Sequence, residues 1–419
     1  LILRIGYACL AIAVPGSEMK SCTLKNADRE RLLALIEHNL DALGRLIDYN
    51  IKNEIKLFRI SSDLIPFGSA IGADIAWDHI FAEKFFEIGK KIKDSGMRIS
   101  MHPGQYTVLN SPKAIVVSAA EKDLEYHAKV LDAIGVDTEH KIVLHLGGAY
   151  GDKEDAKKRF ICHCRSLKPY LTARLVLEND DRSFNISDVL EAAEKLKLPV
   201  IYDNLHNAVN RSDDVTSDSR WIKECKSTWR EKDGPQKIHY SQQNTGKKSG
   251  AHSETIKTEE FLDYYRDIPA KDTDIMLEVK DKNMSALKCI NCVSKRGIKE
   301  LEQEWGRYKY LVMEHSQAGY QSVRNMLKDK NSYPAVAMYM SIEKSMDKKT
   351  EKGDAVNAAR HVWGYFKSRA SENEKIRFEK TLKKFISGDS QIKSVKNNLL
   401  NLSKKYGEDY LLQGYYLYK

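Results

Sequence analysis

Imidazoles and carboxylates recur in this chain at the ends of short apolar runs. His102 closes Arg98-Ile-Ser-Met101, His145 closes Lys141-Ile-Val-Leu144, and Glu178 closes Arg174-Leu-Val-Leu177. Asp203 closes Pro199-Val-Ile-Tyr202 and Glu278 closes Asp274-Ile-Met-Leu277. His206 follows Asp203 by three residues, His239 lies inside Lys237-Ile-His-Tyr240, and His252 sits in the loop beyond. Singly, each has an ordinary explanation: a strand-end histidine is more often a hydrogen-bonded structural residue, and a strand-end acid a cap or a surface charge. Jointly the balance changes, because burying so many ionisable groups around one place is costly unless cations compensate them. A cluster of divalent metal ions does so. The donors are nitrogen and oxygen with no strand-end thiolate, a set that suits Mn, Fe or Zn without choosing among them. Carboxylates in such a set can bridge two metals, the arrangement that activates a water and stabilises a leaving oxygen in phosphoryl transfer.

These residues need a frame that brings strand ends together. Eight strands are predicted: Leu3–Cys9, Lys56–Ile60, Arg98–Met101, Lys141–His145, Arg174–Glu178, Pro199–Asp203, Lys237–Tyr240 and Asp274–Glu278. Helical spacing of apolar residues falls between them at Asp28–Tyr49, Ile80–Ile92, Glu121–Ile134 and Ser187–Lys197, with Gly96 and Gly135 as stops and Ser187 as an N-cap. Strands alternating with helices imply a parallel sheet, and eight such units imply a closed (β/α)8 TIM barrel. In that fold chemistry gathers at the carboxyl ends of the strands. The third strand must stop at Pro103-Gly104, which leaves Gln105 and Tyr106 on the loop above His102.

A chain of 419 residues is expected to hold more than one domain. We expect a barrel over residues 1–285 and a smaller all-α domain over 295–419, where Trp305, Tyr308, Leu311 and Val312 share one helical face and Leu399, Leu400 and Leu402 mark another helix. The chain carries 68 basic and 59 acidic residues, but from Asn291 onward the count is 25 and 15, net +10. A near-neutral body joined to a basic tail suggests an acidic partner such as nucleic acid, although a solvated lysine-rich surface has the same composition. In the body, Thr245-Gly-Lys-Lys-Ser-Gly-Ala-His252 is a basic loop whose Lys247 and Lys248 could hold phosphates. Tyr7, Gln105 and Tyr106 would stand near the mouth, where they could stack on or replace an extruded base. Seven cysteines, an odd number in a large chain, imply reduced thiols in a cytoplasm, and the lone pair Cys289-Ile-Asn-Cys292 cannot complete a tetrahedral zinc site. Residues 1–14 suit a buried strand better than a secretory signal, since Gly6, Tyr7 and Cys9 interrupt them, and no apolar run reaches the length of about 18 residues of a membrane span.

The motifs Arg4-Ile-Gly-Tyr7, Phe58-Arg-Ile60 with Leu64-Ile-Pro-Phe67, Met101-His-Pro-Gly-Gln-Tyr106, Leu144-His-Leu-Gly-Gly148, Leu177-Glu-Asn-Asp180, Tyr202-Asp-Asn-Leu-His206 and Gly250-Ala-His252 resemble those of the UV damage endonucleases, in order, over residues 3–280. The resemblance implies a TIM barrel related to endonuclease IV. It implies a DNA repair enzyme that nicks damaged double-stranded DNA immediately 5′ to pyrimidine dimers and related lesions, leaving a 3′-hydroxyl, by metal-activated water attack. It further implies two or three divalent ions, typically Mn²⁺ with Zn²⁺ or Fe²⁺ as alternatives, held by His102, His145, Glu178, Asp203, His206, His239, His252 and Glu278, with Glu178 bridging. Glu178, His102, Glu278 and Lys237 would be catalytic, Lys237 matching a lysine that the family can carry in carboxylated form. Gln105 and Tyr106 would probe the damaged site from the intact strand, with Tyr7 assisting. Two departures stand out. Some members carry a further histidine where this chain reads Phe67-Gly-Ser-Ala70, and some carry an asparagine where it reads Leu10-Ala11. The tail's Trp305–Ser316 and Tyr410–Tyr416 are similar to a small bacterial domain of unassigned function, for which net positive charge suggests DNA binding. The alternatives are an abasic-site endonuclease of the endonuclease IV type, a metal-dependent sugar isomerase, and a damage-binding module that does not cut.

Overall fold

A computed structural model describes residues 4–212 and 216–419; Leu3, expected in the first strand, lies outside them. The chain forms two compact units, one of residues 1–11, 16–256 and 263–287, the other of 12–15, 257–262 and 288–419.

The first unit is built on eight parallel strands: β1 (Ile5–Ala8), β2 (Leu57–Ile60), β3 (Arg98–Met101), β4 (Ile142–His145), β5 (Leu175–Glu178), β6 (Val200–Ile201), β7 (Lys237–Tyr240) and β8 (Asp274–Leu277). Their order is β6-β5-β4-β3-β2-β1-β8-β7, and a single parallel bridge between Asp203 and His239 joins the two ends into a barrel. Side chains of a strand alternate between faces, so every second residue enters the lumen. That period orders the interior. Arg98, Lys237 and Asp274 begin their strands on the lumen face, and Arg98 Nη1 lies 2.8 Å from Asp274 Oδ2 at the floor. Two residues on, Leu57, Met276 and Ala8 pack in one apolar cluster, and Val143, Val176 and Ile201 in another. Two residues further come the candidate ligands. Gly6 is required where β1 meets β2, because a Cβ there would fall 1.9 Å from the Leu57 carbonyl oxygen.

The surrounding helices follow from their caps. Arg29–Lys52 starts at Asp28, whose side chain accepts from Arg31 N, and buries Leu32, Leu35, Ile36, Leu40, Leu43, Leu46 and Ile47. Gly96 and Gly135 end their helices with φ of 65° and 77°, a conformation open to glycine at little cost. The helix between β5 and β6 differs from expectation in its cap: Asn185, not Ser187, starts the helix Ile186–Leu196, because Asn185 and Asp188 form a reciprocal capping box. Strands β6 and β8 stop short of Asp203 and Glu278, so these two ligand candidates stand two residues and one residue past their strands.

The second unit is helical, with Ile298–His315, Gln317–Met326, Ala335–Met346, Lys352–Trp363, Glu372–Ser387 and Ile392–Tyr406 as its main elements. Tyr308, Leu311, Val312, Leu399 and Leu402 are buried as expected, while Trp305 and Leu400 are only half-buried. The interval between the two expected domains is no loop: Asn283–Val293 is a helix. Cys289 and Cys292 lie on it one turn apart, and all seven cysteines are free thiols. No helix among the described residues is long and apolar enough to cross a membrane.

Candidate metal centre at the carboxyl ends of the strands

Glu178 is fully buried at the end of β5, and four imidazoles surround its carboxylate. Its Oε2 lies 3.1 Å from His102 Nε2 and 3.8 Å from His145 Nε2. Its Oε1 lies 2.8 Å from His239 Nδ1 and 3.6 Å from His206 Nδ1. Strand register accounts for part of this, since His145 and Glu178 are paired positions of β4 and β5. Glu278 joins the group from β8, with Oε1 3.4 Å from His239 Nδ1 and Oε2 3.5 Å from His252 Nε2. Asp203 caps the helix Asn204–Val209 by accepting from His206 N at 2.7 Å, which fixes the Asp-Asn-Leu-His turn. The Asn179 side-chain amide donates Nδ2–H to the Asp203 carbonyl at 3.0 Å and accepts from the Asp203 N–H at 2.9 Å, which holds Asp203 in place.

The electrostatics show that cations fit here. His102, His145 and His206 each donate Nδ1–H to a backbone carbonyl, of Pro103 (3.1 Å), Glu178 (3.3 Å) and Asn179 (2.9 Å). In the neutral ring each Nε2 is then left with its lone pair, the arrangement by which an outer hydrogen bond sets a ligand tautomer. His102 Nε2 and Glu178 Oε2 thus turn lone pairs toward each other at 3.1 Å, a contact that needs a proton or a cation between them. Two buried atoms at the mouth, Asp203 Oδ2 and His239 Nε2, have no hydrogen-bond partner. Burial pushes the His102 imidazole down to about 4, so it offers a neutral nitrogen. Burial also opposes charge on His206, but Asp203, Glu178 and Glu278 outweigh it and raise that imidazole to about 9. Burial raises the Asp203 carboxyl as well, while His239, His145 and His102 hold Glu178 well below the usual carboxylate range against its own burial. The mouth therefore carries more carboxylate charge than its imidazoles balance when neutral. Two sets of donor atoms, His102–His145–Glu178 and Glu178–Asp203–His239, each lie within 4.8 Å of one another and can hold metal ions, with Glu178 common to both.

The structure brings together all eight expected ligands at this mouth, and places the other candidates differently. Gln105 and Tyr106 stand exposed on the loop beyond His102, Tyr106 at 66%. Lys247 and Lys248 are exposed, and Lys247 Nζ pairs with Glu254 at 3.1 Å. Lys237 stands two residues before His239 at the start of β7, buried, with burial holding its amine well below its ordinary value. Tyr7 is a correction. It alternates with Ala8 and so faces outward, where its hydroxyl donates to Asn50 of the helix Arg29–Lys52 at 2.9 Å and its ring meets Phe58 edge-on. It is 0% exposed and reaches no ligand from there.

Sequence reading passes over Arg59. It enters the lumen from β2 and pairs its Nη1 with Glu278 Oε1. Burial opposes its charge, but Glu278 outweighs burial and raises the guanidinium's pKa. Its signal was the two-residue step from lumen-facing Leu57. A second overlooked group is a buried brace behind the loop: Ser62 Oγ donates to the His102 carbonyl at 2.7 Å and lies 2.9 Å from His127 Nε2, and Thr107 Oγ1 donates to Asp123 at 2.6 Å. Both ends of the segment carrying Gln105 and Tyr106 are thereby tied down. Ala70, in the segment where some family members carry a histidine, is exposed and offers no ligand.

Comparison with known proteins agrees with this geometry. Residues 3–308 match the family described as UV-endonuclease UvdE, and residues 309–419 match a protein of unknown function, DUF1722. A UV DNA damage endonuclease of Clostridium perfringens is 37% identical over 407 residues, covering 96% of both chains. One from Bacillus cereus strain G9842 is 31% identical over 313 residues, 72% of this chain and 98% of the relative. The crystal structure of SacUVDE superposes with a TM-score of 0.65 at 37% identity, covering 72% of this chain and 99% of that one. A parallel barrel whose strand ends converge on one buried carboxylate, matched along three-quarters of its length by a single family model, places this chain in the UV-endonuclease UvdE family.

Proposed function

We propose that the barrel nicks double-stranded DNA immediately 5′ to pyrimidine dimers and related UV lesions and leaves a 3′-hydroxyl. One observation carries the reading: five imidazoles and three carboxylates share a barrel mouth in a chain of this family. His102, His145, Glu178, Asp203, His206, His239, His252 and Glu278 would hold two or three divalent ions, Mn²⁺ in our reading, with Zn²⁺ and Fe²⁺ suited to the same donors. Divalent cations there supply Lewis acidity, making a water acidic enough to attack phosphorus and offsetting charge on the phosphoryl oxygens.

The chain's own residues do the rest. Glu178 keeps the imidazoles in one arrangement by facing four of them. Arg59 and His239 fix Glu278 from two sides. Lys237 belongs to the proposal as an amine whose charged form burial disfavours; the uncharged amine is the form that takes up carbon dioxide to give a carbamate. The phosphate beside a stacked lesion cannot enter a recessed mouth, so the lesion must leave the stack. Damage weakens pairing and stacking, so extrusion costs less at a lesion, and selectivity follows without base readout. Gln105 and Tyr106 would fill the gap from the intact strand, and Lys247 and Lys248 would contact the backbone.

The test uses metal-stripped protein restored with Mn²⁺ and three duplexes, carrying one cyclobutane dimer, one abasic site or no damage. A nick just 5′ to the dimer, ending in a 3′-hydroxyl, is the expected product. Cutting confined to the abasic duplex would replace this reading with abasic-site cleavage. Tyr106→Ala should leave metal content unchanged and lower the preference for dimer over undamaged duplex by roughly tenfold, the scale of one lost base–aromatic stack. An unchanged preference would remove Tyr106 from the lesion contact.

A further inference from the structure

The two stretches of the helical unit singled out in the sequence, Trp305–Ser316 and Tyr410–Tyr416, meet on its surface. Tyr410 donates its hydroxyl to the Gly306 carbonyl at 3.2 Å. Its ring stacks on Tyr365, centroids 6.1 Å apart and planes 22° from parallel. Tyr365 and Tyr310 share a hydroxyl–hydroxyl hydrogen bond of 3.0 Å. Trp305 packs on Tyr320 at 5.6 Å. Among these rings lies Lys309, its Nζ 4.6 Å over Tyr310 and 4.9 Å over Tyr410. Lys309 makes no ion pair with a carboxylate among the described residues.

Core packing explains Tyr308, Tyr339, Tyr415 and Tyr416, which are buried. It does not explain this group. Trp305, Lys309, Tyr310, Tyr320 and Tyr365 are only half-buried, and Tyr410 is 43% exposed. Partly exposed rings around an ammonium with no carboxylate partner, in a segment of net charge +10, match one ligand chemistry. Bases stack on the rings and the ammonium meets a phosphate. A duplex hides its base faces in the stack, so the ligand is single-stranded.

We propose that this patch binds single-stranded DNA. Beside a nick, the released strand end is such a ligand; that placement rests on the nicking reading, whereas the binding itself does not.

The test is fluorescence anisotropy of the full chain, free of added metal, with a labelled 20-nucleotide oligothymidylate across a salt series. The probe carries no lesion, so its result is independent of the nicking assay. Lys309→Ala should make the salt dependence shallower by about 0.7 in log–log slope, one phosphate contact on a single strand. Tyr410→Leu should weaken binding about fivefold or more with the slope unchanged. Thermal melting shows whether each variant is folded, and Lys309→Ala alone decides should Tyr410→Leu fail to fold. An oligothymidylate that does not bind the parent chain, or binds folded Lys309→Ala with the parent's affinity and slope, overturns the proposal.

Discussion

Glu178→Gln should slow nicking of a dimer-bearing duplex by at least a factor of about 10² to 10³, the scale of removing one preorganised electrostatic group. The substitution keeps the side chain's shape and changes its chemistry. Glu178 Oε1 accepts from His239 Nδ1 and lies near His206, while Oε2 faces the Nε2 atoms of His102 and His145. An amide supplies one acceptor and one donor, and it brings no charge. One pair of imidazoles would then face an N–H₂ group, and a cation shared between the two donor sets would lose its common ligand. Metal content should fall with activity, read by elemental analysis of protein dialysed against limiting Mn²⁺. Full metal content with parental turnover would sink the role given to Glu178. Full metal content with lost turnover would keep Glu178 in the chemistry and move the ligation elsewhere.

Arg98→Ala should cost the barrel about 3–5 kcal/mol, because it strips the partner from a buried charge. Asp274 is 0% exposed and Arg98 is 4% exposed. The guanidinium also donates to the carbonyls of Glu139 (3.0 Å), Pro235 (2.6 Å) and Asp233 (2.7 Å), so its loss leaves three acceptors unmet besides the carboxylate. Arg4 remains near Asp274 at 3.5 Å but is more exposed and makes the weaker contact. Calorimetry should show the barrel's transition lowered by several degrees. The same variant should bind Mn²⁺ with parental affinity once folded, since Met276 stands between Asp274 and Glu278 on β8 and Arg98 touches no candidate ligand. A melting temperature within one degree of the parent would mean that Arg98 contributes no more than a surface pair.

Residue types and short-range spacing determined much of this protein. Short apolar runs ending in His, Glu or Asp, alternating with helical spacing, led to eight parallel strands and to the eight candidate ligands, because local periodicity dictates which face a side chain takes and where a strand must stop. Pro103-Gly104 ends β3 in just this way. Parity along a strand is equally local, and applied to β1 it would have turned Tyr7 outward and drawn Arg59 into the lumen. Tertiary structure alone decided the rest. Which carboxylate sits at the centre depends on register between strands far apart in the chain, as His145 with Glu178 shows. Closure of the barrel rests on one bridge, Asp203 with His239, between two candidate ligands. The floor charges of Arg98 and Asp274, 176 positions apart, and the meeting of Trp305–Ser316 with Tyr410–Tyr416 are likewise invisible along the chain. Hydrogen bonds, ion pairs and ring contacts act over a few ångströms of space, and sequence separation carries no information about such distances until the barrel has closed and the helices have packed.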